Sequence, residues 1–131
     1  MERNTEYREN GLLVVPVAAN AKCEAGNIAV ISSGYAAPGS VATGLVYLGR
    51  FEETVDNTGA AAGDVAVTIR TGLSFKWKNS DIDPIAQADV GSTCYIEDAV
   101  TVSKTDNSGA RSAAGMITGV DFGGVWVDKS L

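Results

Sequence analysis

From Leu12 onward, apolar and polar residues alternate in short runs, and glycine-bearing segments interrupt them about every 8 to 12 residues, the pattern of an all-β sandwich or barrel. The clearest run is Val65-Ala66-Val67-Thr68-Ile69-Arg70, in which Val65, Val67 and Ile69 project to one face and Ala66, Thr68 and Arg70 to the other. Phe75 and Trp77 then alternate with Ser74, Lys76 and Lys78, and Thr71-Gly72 between the two runs marks a bulge or tight turn. Residues 65–78 therefore read as a hairpin or as one long kinked strand, with the aromatic rings beside the core in both cases. Leu12 to Val17, Asn27 to Ser33 and Leu45 to Val55 are the other upstream candidates, so four strands are expected before residue 72. Ala25-Gly26, a loop from Ser33 to Gly39 and a turn-rich stretch over 56–63 connect them.

The second half carries the one helical signal. Asp83 can cap exposed amides, Pro84 suits a first helical position and Gly91 lies just past the end, which predicts a turn or two of helix over Pro84 to Ala88. Thr93 to Ile96, Val100 to Ser103, Ala113 to Asp121 and Val125 to Asp128 follow as strands, with Asp106-Asn107-Ser108-Gly109 and Phe122-Gly123-Gly124 as hairpin turns. The expectation is one compact antiparallel sandwich or barrel, jelly-roll-like, over residues 12–131. Residues 1–11 precede it as an extended arm that mixes both signs of charge and has little to bury by itself.

Composition narrows the chemistry. The 131 residues include no histidine, which removes Ser-His-Asp and Cys-His nucleophilic catalysis, the usual proton shuttle near neutral pH and the commonest ligand of zinc, iron and copper. With 10 Lys+Arg against 16 Asp+Glu the net charge is −6, and no basic stripe exists to hold a phosphate backbone, so no nucleic-acid partner is expected. The apolar run Leu12 to Ala19 is too short for a membrane span and contains Pro16, so neither a membrane association nor a targeting segment is expected. Cys23 and Cys94 form no metal-ligand pattern. They read as reduced, partly buried thiols, and a disulfide would require Cα atoms within about 7 Å.

The stretch Asn79 to Ser103 holds Asp81, Asp83, Asp89, Glu97 and Asp98 with no Lys or Arg. Its spacing matches no EF-hand loop, and a solvated acidic loop accounts for it better than a Ca²⁺ site or a paired-carboxylate hydrolase centred on Asp83 and Glu97. No GxxxxGK[ST] motif or glycine-loop-to-long-helix unit occurs, so the glycines are turn glycines. No catalytic residue, cofactor or metal is expected. Trp77 and Trp126 read as core-edge residues whose indole N–H groups reach a partner.

The series Phe75-Lys76-Trp77-Lys78-Asn79-Ser80, Asp83-Pro84-Ile85, Ala88-Asp89-Val90-Gly91, Cys94-Tyr95-Ile96-Glu97-Asp98, Thr101-Val102-Ser103, Ala114-Gly115-Met116-Ile117 and Gly124-Val125-Trp126-Val127 resembles the capsid cement, or decoration, proteins of tailed bacteriophages. The likeness covers about half of the chain and rests on the order of these segments. It implies an all-β virion protein, made in the bacterial host cytoplasm, that binds the outside of an icosahedral shell of major capsid protein as a dimer or trimer on local symmetry axes. It implies no catalysis and no cofactor. Independently, Glu2, Arg3, Glu6, Tyr7 and Arg8 in the arm are the expected contacts with the shell, since they combine charge-assisted hydrogen bonding with one aromatic ring. The alternative is a head-fibre or tail-associated module that recognises a glycan through Trp77, Trp126 or Tyr35.

Overall fold

A computed structural model describes residues 2–6 and 11–129. The architecture is all-β: a five-stranded antiparallel sheet packed against a closed five-stranded barrel, with a small two-stranded ribbon. Strands β1 (Leu12–Pro16), β2 (Lys22–Cys23), β3 (Ile28–Ser32), β4 (Tyr35–Pro38), β5 (Val46–Phe51), β6 (Val55–Asp56) and β7 (Ala66–Arg70) make up the first half. The sheet has the order β1-β7-β5-β3-β4, and β2 pairs with β6. Strands β8 (Phe75–Asn79), β9 (Thr93–Ile96), β10 (Thr101–Ser103), β11 (Ala113–Asp121) and β12 (Gly124–Asp128) form the barrel in the order β10-β8-β12-β11-β9. It closes through the parallel pairing of β8 with β10, Thr101 opposite Lys78 and Val102 opposite Asn79.

Among the described residues seven strands, not four, precede residue 72. The expected loop from Ser33 to Gly39 contains β4, paired with β3 across a turn in which Ser33 and Gly34 both have positive φ, 49° and 87°. Tyr35-Ala36-Ala37-Pro38 lacks the β-branched signature of a strand, and burial of Ala36 stabilises it instead. Leu45 to Val55 splits into β5 and β6 at Glu52–Thr54, and Lys22-Cys23 pairs with Val55-Asp56. The 65–78 segment is neither a hairpin nor one strand: β7 lies in the sheet and β8 in the barrel, with Gly72 at φ 77° between them. Asp106 to Gly109 is not a hairpin turn, because β9 lies between β10 and β11. The helix is a single 3-10 turn at Gln87–Asp89, displaced from Pro84–Ala88, and its entry is held by Asp89 Oδ2, which accepts the Ala86 N–H at 2.8 Å.

Two apolar clusters hold these layers. One joins the barrel residues Phe75, Trp77, Ile85, Cys94, Ile96, Val102, Ile117, Val125 and Val127 to Ile28, Val30 and Tyr47 of the sheet. The other gathers Val17, Cys23, Ala29, Ala36, Phe51, Val67 and Ile69 on the sheet's opposite face. Tyr47 and Phe51 are four residues apart on one strand and would share a face, yet they enter different clusters. A bulge at Leu48 accounts for this, since Ala29 pairs with Gly49 while Val30 pairs with Tyr47. Gly49 permits it: its φ is 150°, and a Cβ there would run into the Arg70 carbonyl oxygen.

Candidate interaction surface

The described part of the arm, which includes Glu2, Arg3 and Glu6, is exposed and belongs to no strand. Tyr7 and Arg8, the other expected contacts, lie outside the described residues. Beyond them the chain enters β1, whose residues are apolar throughout, Leu12-Leu13-Val14-Val15-Pro16. Leu13 and Val15 lie opposite Ile69 and Val67, and Val15 packs on the second cluster. Leu12 and Val14 point the other way and are 49% and 71% exposed. Alternation predicts one apolar and one polar face for a half-buried strand, so five apolar residues in a row were the sequence signal of this surface.

The acidic stretch is neutralised from outside itself. Arg111, almost fully buried, donates through one terminal nitrogen to Asp83 Oδ2 (3.1 Å), Ser103 Oγ (3.1 Å) and the Thr105 carbonyl (3.3 Å), and its other terminal nitrogen lies 3.6 Å from Glu97 Oε1. Asp83 also accepts from the Thr105 hydroxyl (2.6 Å) and N–H (2.9 Å), so it fastens the 104–111 loop and does not cap the helical turn. These Thr105 hydrogen bonds, reinforced by Arg111, hold the Asp83 carboxyl below its ordinary range. Glu97 accepts from Ser80 Oγ, Asp89 lies 3.8 Å from Lys104 Nζ, Asp81 lies 3.7 Å from Lys78 Nζ and Asp98 caps the Val100 N–H. Asp83 and Glu97 are therefore bridged by a cation rather than set across a cleft. Among the described residues no metal-ligating group of three or more His, Cys, Asp or Glu side chains is assembled.

Trp77 is buried, and its indole N–H donates to the Tyr47 hydroxyl at 2.9 Å, which ties the barrel to the sheet. It is not free to stack on a sugar. Trp126 is 40% exposed on the outer face of the barrel, beside Gly119 and opposite Lys76. Its indole N–H donates to Asp121 Oδ2 (3.3 Å), while Lys76 Nζ binds Asp121 Oδ1 (2.8 Å) and lies 5.8 Å from the indole centroid. Phe122, at the tip of the same hairpin, is fully exposed.

Cys23 and Cys94 are both buried and unbonded to each other, and burial pushes each thiol up to about 11. No helix among the described residues is long and apolar enough to cross a membrane. A scan against protein-family models and searches of curated proteins and of solved structures each return no match for this chain.

Proposed function

We propose that the protein is a structural virion component, a cement or decoration protein that binds the exterior of a tailed-phage capsid and reinforces it. The reading has its partner in the major capsid protein and its working unit in a homo-oligomer; it assigns no enzymatic step. The observation that carries it is the contrast between arm and body. Residues 2–6 are exposed and outside any strand, whereas in the body even the acidic stretch is bound into ion pairs and turns. A body of this kind supplies rigidity, and an arm of mixed charge supplies contacts that form on docking. Repetition around a shell multiplies an ordinary interface of about 1,600 Å² without any chemistry. Net charge −6 also keeps such a protein from non-specific association with packaged nucleic acid. Titration of purified empty shells tests the reading: saturation at a fixed copy number per capsomer is expected, and absence of saturable binding overturns it.

A second reading, a glycan-binding module of a head fibre or tail, draws on Trp126, whose ring is held in place by Asp121 and Lys76 and still partly open to solvent. It requires saturable sugar binding by the isolated chain that is lost in Trp126→Ala.

A further inference from the structure

The geometry points to a two-fold homodimer formed by antiparallel pairing of the open edge of β1 with the same edge of a second copy. In an antiparallel ladder alternate residues direct their N–H and C=O groups to one neighbour or the other. The Thr71 N–H donates to the Gly11 carbonyl (3.1 Å) and the Val17 N–H to the Val65 carbonyl (2.9 Å), so Gly11, Leu13, Val15 and Val17 face β7. The backbone groups of Leu12, Val14 and Pro16 point away from it.

The opposite border of the sheet offers no such edge. The outward residues of β4 are Ala36, whose carbonyl accepts the Ala18 N–H (2.9 Å) in a bridge with Val17, and Pro38, which has no N–H. The barrel is closed. Among the described residues, Leu12 to Val14 thus form an open edge that carries none of the usual protection: no charge, no bulge, and outward side chains that are both apolar and exposed.

With the described residues alone, a second copy fits this edge in one register. With Leu13 on the two-fold axis, Leu12 faces the partner's Val14 and Val14 faces the partner's Leu12, each pair exchanging two hydrogen bonds. Every outward N–H and C=O of Leu12 and Val14 is then satisfied. The pairing stops at Gly11 against the partner's Val15, before Pro16, which lacks an N–H, and before the bridge to β4 at Val17. Leu12 and Val14 of both copies form one apolar strip, half-buried Leu13 meets its symmetry mate on the other face, and the two sheets become continuous.

This gives the homo-oligomer of the proposed function a surface and a symmetry, and its test needs no shells, so the two stand or fall separately. Sedimentation equilibrium of the full chain from micromolar to millimolar concentration should show a monomer–dimer equilibrium. Val14→Lys and Val14→Pro, the latter removing only an outward N–H, should each raise the dissociation constant at least tenfold, whereas Val46→Lys, a similarly exposed valine on β5, should not. In the unsubstituted protein the Leu12 and Val14 amides should exchange more slowly with deuterium as concentration rises. A monomer throughout, a trimer, a dimer unaffected by both Val14 variants, or amide exchange at Leu12 and Val14 independent of concentration overturns the proposal.

Discussion

Arg111 decides whether the acidic stretch is held or repelled, because among the described residues it is the one cation placed between Asp83 and Glu97. Replacing it by Met leaves two shielded carboxylates without their counter-charge, and a loss of about 3 kcal/mol in urea unfolding at pH 7 is expected. Asp83 sits below its ordinary value of 3.8, so its contribution is present above that pH and is lost as pH falls through the folded value. The deficit of Arg111→Met should therefore shrink at pH 3; a deficit of equal size at both pH values would mean that only packing was lost. The two thiols act at the other end of the scale. Their folded values of about 11 against an ordinary 9.0 mean that the unfolded chain loses these protons first, so stability should decline between about pH 9 and 11. Native protein should resist a thiol-disulfide reagent at pH 8 and react at both positions once unfolded, whereas rapid labelling of the native state would contradict the burial of Cys23 and Cys94.

At the level of elements, the strand segments bounded by turn signals were legible: β9 and β11 begin and end where the pattern places them, and β1, β3, β7 and β12 differ only at their ends. The partnerships were not, because sequence period reports which face a side chain takes and not which strand lies beside it. Val65 to Lys78 shows the difference, since a local turn signal at Thr71-Gly72 fits a hairpin as well as it fits a crossing from sheet to barrel. The β5 bulge was equally hidden: Gly49 looks like any strand glycine until the Arg70 carbonyl is placed against it. Gly49→Ala tests that role. Because the new side chain meets backbone at a left-handed φ, destabilisation of at least about 2 kcal/mol is expected, with the Trp77–Tyr47 contact loosened and tryptophan fluorescence altered. Wild-type stability in this variant would mean that the bulge relaxes freely.

For the whole molecule, the absent histidine, the acidic balance and the charged arm were all available from the sequence, whereas the open edge of β1 depends on strand order and the role of Arg111 on a contact across the barrel loops. What the arm contributes is separable from the body at one peptide bond. The Gly11 carbonyl accepts the Thr71 N–H and belongs to the sheet, so removal of residues 1–10 leaves every described bond of the first sheet in place. Thermal unfolding of that variant should match the full chain within about 2 °C, since the described arm residues 2–6 are all exposed. Docking should respond differently. Ordering an arm residue costs about 1 to 2 kcal/mol of backbone entropy, so the full arm binds only if its contacts exceed that cost, and a buried Tyr7 ring is the residue able to supply most of the excess. Shell occupancy, or the heat resistance of decorated shells, should fall on deletion and fall nearly as far in Tyr7→Ala, while single replacements of Glu2, Arg3, Glu6 or Arg8 should change it little, as exposed ion pairs do. If the deletion variant decorates shells with unchanged affinity, the docking surface lies on the β body.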